Sequence, residues 1–390
     1  MFVYKHRYFF LILLVFLIVA GISNAASYQF KHYDINNGLS QNTVRSIFQD
    51  DQGFMWFGTK DGLNRFDGTS FKIFKFSPDT NLRDNVFLCI LQDKHHNIWV
   101  STEDGVYVYD TYMEKFHRFD RVTSKNEKVE GVVSDMITDE DGDIWMAVEE
   151  KGVFHYDISK DELIFYSIPL VVDGMKMMAL CQDDNNMIWV CPYSRPFLLI
   201  DKRTKKVSEF NLNDDDHFLY AIGEVSDVLA DQYNQLLVAT SQKGLISINI
   251  INKTHRVLLD KDPNGDPLFV RCLERIDNNT LWVGTESGVY VYDTDTEIAI
   301  NLRSNLIPTS LSDNAIYSIY KDNNGGIWVG SYFGGVNYYP NRSIYFEIYY
   351  PIENENSISG QRVREFCEAP DGKLWIGTED KGLNLFDPVS

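Results

Sequence analysis

Basic residues are in short supply in this 390-residue chain: 36 Lys and Arg stand against 56 Asp and Glu, a formal charge of −20. A surface so acidic repels phosphate backbones and argues against nucleic acid as a partner. Cysteine is sparse as well. Cys89, Cys181, Cys191, Cys272 and Cys367 are odd in number and irregularly spaced, a poor disulfide framework, and no CxxC pair offers a zinc site. They read as small buried hydrophobes. A serine elbow, an HExxH motif and a nucleotide loop are all missing, so neither enzymatic chemistry nor a cofactor or metal is expected, and no residue is assigned a catalytic role. Beyond the N-terminal segment no apolar run is long enough to cross a bilayer.

Aromatic residues are plentiful. They make up 14% of the chain, with 22 Tyr and 25 Phe, a bias that favours strands. Hydrophobic residues at 44% and charged ones at 24% fit a globular protein rather than a disordered one.

Residues 1–25 stand apart. Lys5 and Arg7 precede an almost unbroken apolar stretch from Tyr8 to Ile22, followed by the small residues Ser23, Asn24 and Ala25. That order is a signal peptide; an uncleaved membrane anchor is the rival reading, since the stretch approaches a spanning length. Either way the remainder is placed in the periplasm or on the outer face of the inner membrane. Membrane association follows only if the segment is uncleaved.

All seven tryptophans occupy one position of a repeating unit: Trp56, Trp99, Trp145, Trp189, Trp282, Trp328 and Trp375. The gap of 93 residues between Trp189 and Trp282 hides one more copy, with Leu237 in the tryptophan register. Eight copies spaced by about 46 residues result. Other positions recur with the Trp, as in NIWVSTEDGVYVYD from Asn97 and TLWVGTESGVYVYD from Thr280. Each copy reads as an apolar strand, a polar turn, the Trp strand, a short turn ending in Gly, a third strand closing on Tyr or Phe, and a fourth strand. Four short antiparallel strands repeated at this length form the blade of a β-propeller. A lone blade cannot cover its two apolar faces, whereas radial stacking buries each against its neighbour.

The segment Tyr28 to Asp34 looks like a fourth strand lacking the first three. In a ring of eight blades it pairs with the strand from Leu383 to Phe386; in a ring of seven it pairs with Val336 to Tyr339. Counting strands favours eight, since triplets and fourth strands then balance.

The Leu-Ser-x-Asn openings at Gly38 to Val44 and Leu311 to Ile316, the Asp-x-x-Gly turns, the Trp-x-Gly-Thr strands and the Gly-Leu/Val-x-x-Tyr/Phe-Asp strands resemble the two-component regulator propeller family, found in the periplasmic sensor regions of Bacteroidetes hybrid histidine kinases. The resemblance runs from Tyr28 to Asp387. It implies an all-β fold of seven-bladed rings, detection of glycan fragments, and homodimerisation through C-terminal regions absent from this sequence. It tips the count towards seven: a propeller over residues 27–340, then the opening of a second propeller, or an eighth blade, over 341–390. The chain then reads as the truncated sensor of a two-component system, without kinase activity. The alternatives are a secreted propeller glycosidase or polysaccharide lyase, and a protein-interaction scaffold.

Ligands of propellers commonly sit over the central opening. In the fourth copy the usual turn becomes Cys191-Pro192-Tyr193-Ser194-Arg195-Pro196, where Tyr193 and Arg195 offer an aromatic face and a guanidinium suited to a sugar, an oligo- or polysaccharide fragment. Tyr332 and Phe333 fill the same turn of the seventh copy. Repeat divergence with exposed aromatics is the plainer explanation. The acidic run Asp139 to Asp143 recurs in register at Asp50 and Asp322 and reads as turn chemistry rather than a calcium loop; Asp260 to Asp266 and the run Asp214, Asp215, Asp216 read as solvated loops. His155 lies in a third blade strand and is expected to pack or hydrogen-bond locally.

Overall fold

A computed structural model describes residues 28–75, 82, 84–168, 178–213, 215, 217–231, 234–341, 349–351 and 356–387. The N-terminal signal or anchor segment lies outside them, as do Asp214, Asp216 and Phe76.

The first blade shows how the repeat folds. Val44–Gln49, Met55–Thr59, Gly62–Phe66 and Phe71–Phe74 form one antiparallel sheet in sequence order. The second strand is buried along its whole length, because it is sandwiched between neighbouring sheets. Five further blades repeat the order around second strands at Ile98–Thr102, Ile144–Val148, Met187–Pro192, Gln235–Thr240 and Thr280–Thr285. Leu237 stands in the tryptophan register of blade 5, paired with Leu229 and buried.

Blade 7 supplies Ile316–Lys321, Ile327–Ser331 and Val336–Tyr339, and its fourth strand is Lys31–Tyr33 from the other end of the chain. Lys31 faces Tyr338, His32 faces Asn337 and Tyr33 faces Val336. The ring therefore closes at seven, and the eight-bladed closure suggested by counting strands is corrected. Tyr33 stacks on Trp328 at 5.9 Å and meets the edge of Phe66 at 5.1 Å, so the closing strand also packs against blade 1.

The tryptophans fill the spaces between blades. In the ring none is more than 5% exposed, and Trp56, Trp145 and Trp189 are at 0%. Burying a side chain of that size makes each one a large local contribution to stability. Five of them are tethered at a constant offset. Trp56, Trp99, Trp145, Trp189 and Trp328 each donate Nε1–H to the carboxylate six residues earlier, at Asp50, Asp93, Asp139, Asp183 and Asp322, over 2.7–2.9 Å. The other oxygen of each aspartate accepts the backbone N–H groups of its own turn, as at Asp50 from Gln52 and Phe54. The recurring Asp is thus both turn residue and tryptophan anchor.

Two kinds of glycine serve this packing. Gly152 opens the third strand of blade 3 at φ +143°, where a Cβ would lie 2.7 Å from the Tyr166 carbonyl oxygen. Gly58 has an ordinary backbone, and there a Cβ would press on Phe87 of the next blade at 3.1 Å.

Residues 342–390 form a separate compact unit. Its described strands are Val363–Glu368, Leu374–Thr378 and Gly382–Phe386, a three-stranded antiparallel sheet. Trp375 is 39% exposed, and Phe366, Leu383 and Leu385 are open as well. Cys367 is exposed here too, which corrects its expected burial: a blade without covered faces has no interior to offer. All five cysteines are free; Cys181, Cys191 and Cys272 are buried and Cys89 half-buried.

Candidate functional site

Every blade starts its first strand, ends its second and begins its third at the same end of the ring. The second-to-third-strand turns therefore form a rim around one mouth of the central channel. Lys60, Glu103, Glu149, Tyr193, Glu286 and Tyr332 occupy equivalent places in those turns. Inside the rim the first strands line a cavity of about 750 Å³ that includes Arg45, Asp135, Asp227, Arg271 and Tyr317.

Charge is divided across this mouth. Glu103 and Glu149 line the cavity from blades 2 and 3. Blades 6, 7 and 1 contribute cations and aromatics instead. Tyr317 and Tyr332 lie with ring centroids 5.2 Å apart. The Arg271 guanidinium sits 4.5 Å from the Tyr317 ring and 3.9 Å from that of Phe269, and it pairs with Glu286 at 2.5 Å. Arg45 lies 5.9 Å from Tyr317 on the other side. Lys60 Nζ is 4.3 Å from the centre of the Tyr332 ring and donates to its hydroxyl oxygen at 2.7 Å. The hydrogen bond from Lys60, and then its charge, draw the Tyr332 pKa below the ordinary phenol value.

Of the four residues singled out in the turns, Tyr332 and Phe333 come together, their rings edge to face at 4.5 Å, with Phe333 72% exposed. Tyr193 and Arg195 sit in blade 4, across the ring from them. Their turn is held by buried Pro192 and Pro196 and by the Ser194 N–H bonded to the Gly223 carbonyl at 3.0 Å, while Tyr193 is exposed. Among the described residues no ring contact or hydrogen bond joins that turn to Tyr332 or Phe333. Arg45, Arg271, Tyr317 and Lys60 escape a reading of the sequence because they depart from no motif. Only closure of the ring places blade 1 beside blade 7.

Deeper in the channel, Asp135 and Asp227 hold the same place in blades 3 and 5. Each carboxylate accepts a backbone N–H from the next blade, Leu180 and Leu273 respectively, at 2.8 Å. Burial in the ring pushes Asp135 up to about 6 and Asp227 up to about 7, against these hydrogen bonds. They act as rivets between blades.

A third group lies at the opposite end of blade 3. Asp139, Asp143 and His155 present ligand atoms within 4.8 Å of one another. Their centre already holds a cation, because Lys202 reaches over from blade 4 with Nζ 2.7 Å from Asp139, 2.7 Å from Asp141 and 2.8 Å from Asp143. Burial alone would lower the Lys202 pKa, yet the hydrogen bonds to the three aspartates outweigh it and hold it above its ordinary value. His155 stacks on Trp145 at 4.2 Å and meets Asp143 at 3.2 Å; burial draws its pKa down. The group is a clamp between blades, and the histidine packs and bonds locally as its strand position suggests. In the loop from Asp260 to Asp266, Asp262 spends its carboxylate on the N–H groups of Asn264 and Asp266. That is the behaviour of a turn.

Four segments match the family model described as two component regulator propeller: residues 38–61, 81–104, 310–333 and 357–380. A histidine kinase of Formosa agariphila is 42% identical over 71 residues, which is 18% of this chain and 5% of the kinase. Among solved structures, the extracellular domain of a hybrid two component system from B. thetaiotaomicron superimposes with a TM-score of 0.71 at 24% identity, over 93% of this chain and 48% of that one. The extracellular domain of a one component system from the same organism gives 0.65 at 19% identity, over 93% and 46%. The chain thus spans about half the length of these sensor domains and a small part of the kinase. Four of its repeat units, the first, second, seventh and eighth, are thus similar to the two component regulator propeller repeat.

Proposed function

We propose that this chain is the ligand-sensing propeller of an extracytoplasmic two-component receptor, and that glycan fragments bind at the turn-face mouth of its ring. The carrying observation is a channel of about 750 Å³ whose rim sets Tyr332 beside Phe333, with Lys60 against the Tyr332 ring. A channel mouth with half-buried and exposed aromatic rings and hydrogen-bonding cations suits a sugar, which presents an apolar face and a hydroxyl edge. Tyr193 and Arg195 form the far rim in this reading. The repeat family supports the receptor setting, and the N-terminal segment supports an extracytoplasmic location. Residues 341–390 open a second propeller: their three strands present Trp375, Phe366 and Leu383 as a blade presents its face to a neighbour. The role of this chain is binding rather than turnover.

Thermal unfolding with a panel of plant, algal and host glycan fragments tests the proposal. A bound fragment stabilises the native ring by mass action, about 2.7 kcal/mol at a hundredfold excess over Kd, and raises Tm. Tyr332→Ala abolishes that rise if the mouth is the site. A panel without any stabilising fragment contradicts glycan sensing, and an undiminished rise in Tyr332→Ala places the site elsewhere.

A further inference from the structure

The mouth of this channel is electrostatically at odds with the chain around it. Against a formal charge of −20 overall, three cations converge on the tilted ring pair of Tyr317 and Tyr332, and Glu286 neutralises only Arg271. Among the described residues Arg45 and Lys60 have no carboxylate partner. Arg45 Nε is moreover buried without a hydrogen-bond acceptor, and so is the neighbouring Ser46 Oγ. A buried N–H left without an acceptor is unfavourable, and the rest of the Arg45 guanidinium faces the channel as an unpaired cation.

We propose that the sector formed by blades 6, 7 and 1 binds the anionic group of an acidic saccharide, a carboxylate or sulfate held by Arg45 and Lys60. The sugar ring lies against Tyr332 and Phe333. This rests on the glycan-sensing reading above and adds the charge of the ligand to it. Two features favour an oxyanion over a neutral hydroxyl. The guanidinium of Arg45 presents a fixed fork of donors that matches the two oxygens of a carboxylate or two of a sulfate. Glu103 lines the other side of the mouth, and its carboxylate repels an anion from there and orients it towards blade 1.

Calorimetric titration of the chain with an oligogalacturonate, a sulfated disaccharide and a neutral oligoglucan of matched length tests this. One of the acidic saccharides is expected to bind, more weakly at high salt, and whichever it is tells carboxylate from sulfate. Arg45→Ala should lower the affinity at least tenfold and Arg45→Lys less, with Tm of both unchanged. Should Arg45→Ala fail to fold, Lys60→Ala in the half-buried turn reads the same loss, several-fold. Equal binding of the neutral oligoglucan, unaffected by these variants, overturns the anionic inference while leaving glycan sensing intact. Binding of none of the three in titrations, together with no stabilising fragment in the thermal panel, removes both.

Discussion

Asp139 closes its own turn, anchors Trp145 and receives Lys202 from the next blade, with its carboxylate almost fully buried. The first two roles are legible in the sequence as a fixed offset of six residues between Asp and Trp. Lys202 is not, because it lies 63 residues away and follows no repeat position. Removing it leaves Asp139 as a buried charge without its cation and Asp143 with only Lys94 at 4.0 Å. Lys202→Met should therefore cost about 3 kcal/mol, the low end for breaking a buried pair, since the lysine itself keeps some contact with water. Tm should fall by roughly 5 °C or more, and Lys202→Arg should restore part of it. An unchanged Tm in Lys202→Met would mean that the clamp adds nothing to the ring. His155 shows the same limit of local reading. Its strand position is visible in the sequence, whereas its stacking on Trp145 depends on side-chain directions within the folded sheet.

Strands are the most legible elements, and their partners the least. The alternation within Tyr28 to Asp34 marks a strand, but Val336–Tyr339 and Gly382–Phe386 present nearly the same edge to it. Local pattern cannot choose between two such edges; the geometry of the ring decides, and it brings Lys31 opposite Tyr338. Directly opposed positions in an antiparallel pair are close enough for a disulfide. Lys31→Cys with Tyr338→Cys should cross-link on mild oxidation, identified by mass spectrometry. Lys31→Cys with Leu385→Cys should not, and cross-linking of that second pair instead would restore the eight-bladed ring. The same contrast accounts for the exposed Cys367: in Val363–Glu368 all six residues are exposed, whereas the corresponding strand of blade 1 buries Val44 and Ile47.

For the whole molecule, the architecture is readable from the repeat alone, because a period of about 46 residues leaves few folds able to bury a blade on both faces. The site is only half readable. Tyr332 and Phe333 stand out as aromatics where the other copies carry mostly charged or polar turn residues, while Arg45, Lys60, Arg271 and Tyr317 acquire meaning only when blades 6, 7 and 1 meet. Closing the ring creates the mouth, and the account turns on the mouth being where a ligand is felt. Hydrogen exchange of the backbone amides, with and without a stabilising glycan fragment, measures that directly. Protection is expected at the starts of Val44–Gln49 and Ile316–Lys321 and in the turns at 59–62 and 331–335. Protection confined to the opposite end, at the turns of Asp50, Asp139 and Asp322, would contradict it.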